Sequence, residues 1–203
     1  MAMLSPSARM SAARIATTHL IAALFVLVLL MPSIARADAG QFTWPGSGER
    51  TIPIEVDNLG ARWQKPLTKA ILSWNRSLQI NLVVGAPGTC ATVNEGIELC
   101  GEHAGATRSW IGLAGVWTCA EPMGCDGSID FANIEVNLDK SWSPAKRVFV
   151  LCHELGHAIG LEHRGVGEGA TVASCMAPTF AQSSSPYLAD AQDLADLATM
   201  YAP

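Results

Sequence analysis

Positive charge is scarce in this chain: 13 Lys and Arg stand against 18 Asp and Glu, a formal net charge of −5. That balance argues against nucleic acid or an anionic membrane as a partner, because both call for a basic face. The N-terminal apolar run, residues 20–31, is twelve residues long. About twenty are needed to span a bilayer, so no stable membrane association is expected once it is removed. No cysteine precedes Cys90, which excludes a lipid-modified cysteine near the N-terminus. C-x-x-C spacing is also missing, so a second metal held by cysteines is not expected. Histidine is rare as well, with five in all.

What is present begins with an address. Arg9 and Arg14 precede the apolar run, and Ala35-Arg36-Ala37 follows it as a small-x-small cleavage site. Residues 1–37 therefore read as an export signal, and His19 leaves with it. The signal holds three of the thirteen Lys and Arg and no acid, so residues 38–203 carry ten against eighteen, a net −8. That acidity reads as solubility outside the cell. The remaining 166 residues (203 − 37) suit one domain with a proper core. The expectation is a secreted, extracellular, monomeric protein.

All six cysteines, Cys90, Cys100, Cys119, Cys125, Cys152 and Cys175, fall in the exported part. An even count in an oxidising compartment reads as disulfides, and six cysteines allow fifteen pairings. Closeness favours Cys90 with Cys100 and Cys119 with Cys125.

Periodicity places the elements coarsely. Residues 51–56 alternate apolar and polar as a first strand, with Pro53 suited to an edge. Trp63, Leu67, Ala70, Ile71 and Trp74 recur at helical spacing within a helix over 62–77. Residues 78–84 read as a second strand ended by glycine and proline at 85–88, and 97–100 as a short one. Residues 110–117, apolar but interrupted by glycine, read as a sheet edge. Residues 134–138 alternate as the last strand, parallel to the first two. Ser143 and Pro144 then open a helix as N-cap and first-turn proline. Residues 188–201 carry Leu194, Leu197 and Met200 or Tyr201 at helical spacing, as a closing helix. Glu121, Asp126 and Asp130 match no calcium loop in spacing, so calcium is not supported.

The chemistry sits in residues 148–163, VFVLCHELGHAIGLEH. His153 and His157, four residues apart, lie on one helix face and can grip a single ion. Glu154 stands about 100° round the helix, off the metal axis but within reach of a water. Gly160 tolerates the left-handed backbone that ends a helix, and the reversal returns His163 as a third nitrogen. Three neutral imidazoles leave a fourth position on zinc for water, the mark of a catalytic site.

This H-E-x-x-H-x-x-G-x-x-H string, with Met176 downstream in Ser-Cys-Met-Ala-Pro, resembles the metzincin metalloproteases, and matrixins most of all. The resemblance runs from about residue 51 to the end and is strongest over 153–178. It implies an α+β catalytic domain: a twisted mixed sheet, two long helices and a C-terminal helix. Met176 would form an apolar floor beneath one catalytic zinc, the 110–117 edge would pair with substrate backbone, and 179–186 would wall a specificity pocket. The same arrangement implies a bond between Cys152 and Cys175. Three departures stand out. Ala177 and Pro178 replace the tyrosine that often follows the methionine. Residues 38–50 contain no cysteine to plug the zinc, so no latency is expected. His103 alone cannot hold the structural zinc of matrixins, and reads as a surface residue.

The function implied is hydrolysis of a protein or peptide substrate, with Glu154 as general base. A zinc-dependent cell-wall amidase and a non-catalytic zinc binding or adhesion module are the competing readings. A binding module has no chemical use for Glu154.

Overall fold

Alternation along β2 (Arg50–Asp57) points Ile52 and Ile54 to one face, and both are buried. The computed structural model describes residues 42–90, 95–118, 128–165, 167 and 170–202, with the backbone of Ala37–Ala39. Residues 1–36 of the export segment, Cys119, Cys125, Glu121 and Asp126 lie outside the described residues. Among the described residues, no helix is long and apolar enough to cross a membrane.

After β2, a 3-10 turn (Ala61–Trp63) leads into α1 (Gln64–Trp74). β3 (Ile80–Pro87) then pairs parallel with β2. Parallel neighbours need a crossover, and α1 supplies it. Its stripe of Trp63, Leu67, Ala70, Ile71 and Trp74 is buried, as the spacing required. Truncating either fully buried tryptophan to alanine would cost about 3–5 kcal/mol. β4 (Gly96–Glu102), β5 (Gly112–Thr118) and β6 (Ile129–Asn137) complete the sheet, in the order β3-β2-β4-β6-β5. β4 runs parallel to β2 and β6, while β5 runs antiparallel to β6 at the edge. The glycine-interrupted segment is thus an edge strand, as its place in the sequence indicated. α2 (Pro144–Ala158), β7 (Leu161–Arg164) and α3 (Ala191–Met200) follow. β7 pairs antiparallel with β1 (Ala37–Ala39). The architecture of the described residues is α+β, with a mixed five-stranded sheet and three helices.

Several expectations need correction. Pro53 is not on an edge, because β2 lies between β3 and β4. β4 joins β2 only from Ile54 onward, and the Pro53 ring lies against Gly96. A Cβ at Gly96 would meet the Pro53 ring at 2.8 Å and its carbonyl oxygen at 2.7 Å. The missing side chain on β4 is what admits a proline in an inner strand. The first helix ends at Trp74, short of residue 77, and Leu78 is exposed outside β3. β3 continues through the 85–87 stretch that its glycine and proline seemed to close. The short strand at 97–100 is a seven-residue inner strand, and the last strand starts at Ile129.

The cysteine bonds Cys90–Cys100 and Cys152–Cys175 both form. The first spans ten residues and ties the end of β3 to β4; the second spans 23 and ties α2 to the segment carrying Met176.

Candidate metal centre

The platform is α2. Ser143 caps it by accepting the Lys146 N–H at 3.1 Å, and Pro144 occupies the first turn. From Val148 to Ala158 it is buried apart from half-exposed His157, so its side chains have little freedom to reorient. Its far end is closed by two aromatic side chains from distant parts of the chain. Trp44 Nε1 donates to the Ala158 carbonyl at 2.9 Å, and Tyr201 Oη donates to the Ile159 carbonyl at 2.9 Å. These satisfy carbonyls that a helix end leaves without partners. Gly160 follows with φ +95°, and a Cβ there would lie 2.3 Å from the Phe42 carbonyl oxygen. Only glycine meets both conditions.

The reversal into β7 brings His163 over the helix. His153 Nε2 lies 3.1 Å from His157 Nε2 and 3.1 Å from His163 Nε2. His153 Nδ1 is 2.7 Å from the Cys175 carbonyl, and His157 Nδ1 is 2.7 Å from the Leu161 carbonyl. A carbonyl only accepts, so each Nδ1 carries the proton and each Nε2 presents a lone pair. Burial, aided by the neighbouring His157, pushes His153 down to about 3; burial also lowers His157. Neutral lone pairs facing each other at this distance repel unless a cation lies between them. Two zinc–nitrogen bonds at a tetrahedral angle would set their nitrogens about 3.3 Å apart. The donor set fits zinc.

Glu154 is buried beside this group, and burial alone pushes its carboxyl up to about 8. Its Oε1 lies where Gly112 of β5 leaves space: a Cβ there would sit 2.5 Å from that oxygen and 2.6 Å from Val150 Cγ2. Gly156 opens a second space. A Cβ on it would lie 2.2 Å from Met176 Sδ and 2.8 Å from Trp74 Cζ2. Met176 is fully buried against the helix turn between the two histidines.

The segment carrying Met176 is strapped in place. Its N–H donates to Ser174 Oγ at 2.8 Å, and Ser174 Oγ donates to Asp193 Oδ2 at 2.8 Å. Arg164, despite the glycines that follow it, is the last residue of β7 and buried. Its N–H donates to the Met176 carbonyl at 2.8 Å, and its guanidinium pairs with Asp190. Asp190 also caps α3 by accepting the Gln192 and Asp193 N–H groups. Burial pushes Asp193 up to about 6, against the lowering effect of the Asp190 N–H.

A cleft of about 460 Å³ runs over the histidines. The edge residues 109–114 form one side, and Pro178, Thr179 and Phe180 the other. Phe149 stands between, 5.2 Å from the His153 ring and 5.5 Å from Phe180. Neither of the chain's two tyrosines lines it: Tyr201 caps α2, and Tyr187 stacks behind Phe180.

The structure therefore brings together His153, His157, His163, Glu154 and Met176, with Cys152 and Cys175 joined behind them. His103 stands apart, exposed and 2.7 Å from Asp139. Cys90, Glu98 and Cys100 also cluster, but a disulfide leaves no thiolate to bind metal. Asp130 is exposed. The sequence reading gave Trp44, Tyr201, Arg164, Ser174, Asp190 and Asp193 no role in holding the site. Only Gly112 and Gly156 left a local trace, as glycines inside a strand and a helix, where glycine weakens an element without a reason.

No protein-family model matches the chain, and no curated protein matches it. Solved structures do. One is high choriolytic enzyme 1, a hatching-enzyme zinc protease from the medaka fish Oryzias latipes: 12% identity, 78% of this chain, 94% of that one, TM-score 0.44. Two others are structures of myroilysin. One is 14% identical, covering 79% of this chain and 82% of that one at TM-score 0.48. The other is 13% identical, covering 81% and 87% at TM-score 0.45. In this chain the helix, the glycine reversal and the three converging nitrogens fit the metzincin zinc-site pattern.

Proposed function

We propose that the chain is a secreted zinc endopeptidase of the metzincin type, matrixin-like, with residues 1–37 an export signal and 38–203 the catalytic domain. The observation that carries this is the convergence of three histidine nitrogens beside a buried carboxyl in an open cleft. His153, His157 and His163 hold one zinc. When bound, zinc supplies Lewis acidity, which polarises a peptide carbonyl and acidifies water. Glu154 takes the proton of the attacking water as general base and passes it to the leaving amine. Such proton transfer contributes about 10²–10⁴-fold in rate. Edge strand β5 offers free backbone groups to an extended peptide, and Phe149 with Phe180 gives the cleft an apolar wall. The two disulfides among the described residues suit an oxidising compartment.

The test separates metal from catalysis. Glu154→Gln is expected to retain about one zinc per chain and lose nearly all casein cleavage, whereas His157→Ala loses both. Metal analysis beside a peptide assay reads the two. Substantial hydrolysis by the glutamine variant would sink the mechanism, and release of cell-wall stem peptides without casein cleavage would replace the substrate class.

A further inference from the structure

The cations of this acidic chain are segregated. Between Asp57 and Glu95 there is no acid, yet Arg62, Lys65, Lys69 and Arg76 fall there. Between Asp139 and Glu154 there is again no acid, while Lys140, Lys146 and Arg147 do. Seven of the thirteen Lys and Arg thus lie in two acid-free stretches, and the fold sets the two side by side as α1 and the start of α2. Between them and the 185–187 loop runs a groove of about 510 Å³, lined by Arg62, Lys65, Lys69 and Arg147 with Pro186 and Tyr187.

Among the described residues, no acidic side chain lines this groove. Among the described residues none of its four cations forms an ion pair, and Arg62, Lys65 and Lys69 are exposed. Arg147 is held in place, donating to the Trp142 carbonyl at 3.2 Å with its guanidinium 5.7 Å from the Trp63 ring centre. A positioned guanidinium among free ammonium groups is an arrangement that receives carboxylates.

The groove shares a wall with the cleft. Tyr187, on the groove side, stacks on Phe180, on the cleft side, with ring centres 4.9 Å apart. This ring pair lies where the two meet, so a polypeptide seated over the histidines passes beside the groove. Setting the four groove cations aside, the rest of the chain carries −5 − 4 = −9. A long polyanion or a membrane reaching beyond this basic region would meet a chain that is acidic on balance and be repelled, whereas a short acidic segment stays within it.

We propose that the groove is a second substrate-binding site, taking an aspartate- or glutamate-bearing segment of the same polypeptide that occupies the cleft. The inference rests on the endopeptidase reading and narrows it to substrates with an acidic stretch near the scissile bond. The test uses quenched peptides with one neutral cleavable core, extended on either side by four glutamates or four glutamines. A glutamate extension on one side is expected to raise kcat/KM about tenfold, through KM, and the gain disappears in about 0.5 M salt. Lys65→Glu with Lys69→Glu should abolish the gain and cleave the glutamine peptide like the unaltered enzyme. Lys65→Gln with Lys69→Gln, which leaves only neutral surface, should do the same. Equal kcat/KM for glutamate and glutamine peptides overturns the proposal. Failure to cleave any peptide strikes the endopeptidase reading instead. Binding of labelled hexaglutamate, followed by fluorescence anisotropy, then decides the groove: loss in the charge-reversed variant supports it, and equal binding overturns it. Displacement of hexaglutamate by a tenfold lower concentration of a sulfated oligosaccharide or a DNA oligomer of equal charge would overturn the peptide assignment.

Discussion

Gly156→Ala pits local propensity against packing at the centre of the site. In an unconstrained helix interior, glycine to alanine stabilises by about 0.5–1 kcal/mol. Here the new methyl would stand 2.2 Å from Met176 Sδ and 2.8 Å from Trp74 Cζ2, both in the core. Overpacking of this kind costs about 1–3 kcal/mol. The clash outweighs the gain in helix propensity, leaving a net loss of up to about 2 kcal/mol and a Tm lower by up to about 8 °C at this chain length. Met176→Ala removes the obstructing sulfur at its own cost of about 2–5 kcal/mol. In the double variant the methyl has room, so the two losses should fall short of additivity by about 1–2 kcal/mol. Thermal melts of the four proteins, with zinc and with chelator, give the cycle. Zinc affinity should drop in Gly156→Ala and recover in part in the double variant, because the displaced methionine presses on the turn between His153 and His157. A higher Tm for Gly156→Ala, or a cycle additive within about 0.5 kcal/mol, would refute the reasoning.

Gly112→Ala puts a methyl 2.5 Å from Glu154 Oε1, and should lower kcat at least tenfold with zinc content unchanged; equal kcat would show that the carboxylate moves aside freely. Replacing Cys152 and Cys175 together by serine opens a ring of 23 residues and should cost about 3–4 kcal/mol in a denaturant melt, with faster zinc loss into chelator as the local signature. In metal-free protein the Glu154 carboxyl is held near 8 in the fold against an ordinary value of 4.5, so the fold keeps a proton that the unfolded chain gives up. Stability is therefore lost as pH rises from about 4.5 to 8, and Glu154→Gln removes the loss. At pH 8 the chelated glutamine variant should melt above the chelated parent, with a gap of ~2–4 kcal/mol that closes toward pH 5; parallel Tm–pH curves would contradict it.

What was readable in the sequence was short-ranged. The four-residue histidine spacing, the Ser143 cap, the Gly160 reversal and the stripe from Trp63 to Trp74 each state their geometry within one or two turns, and each has it in the structure. The Cys90–Cys100 bond followed from closeness, and Cys152–Cys175 from the metzincin arrangement. What escaped depends on residues far apart. Trp44 reaches Ala158 across 114 positions, and Tyr201 reaches Ile159 across 42. No periodicity marks Trp44, and the helical spacing that includes Tyr201 marks it as core and not as a cap, because a cap needs a single donor in the right place. Pro53 misled for a related reason: proline argues for an edge on its own strand, and the exception depends on Gly96 of a neighbour. Arg164 sits in a glycine-rich stretch and looks solvated until α3 supplies Asp190 and Asp193.

These distant contacts matter because the motif positions only two of its three histidines. His153 and His157 are related by the helix itself, and two carbonyls fix their rings. His163 is exposed and lies beyond the helix, so its place depends on how the chain is held after Gly160. Three attachments hold it: the Trp44 and Tyr201 caps before the reversal, and the Arg164 N–H on the Met176 carbonyl directly after it. Tyr201 follows directly on α3, and Arg164 pairs with the Asp190 that caps the same helix. Ser174 joins the segment carrying Met176 to Asp193, also on α3. The C-terminal helix thus sets both the third nitrogen and the floor beneath the site, although it contributes no group to the cleft. Disturbance of α3 would reach the metal through His163 and Met176, leaving the His153–His157 pair on its own helix intact.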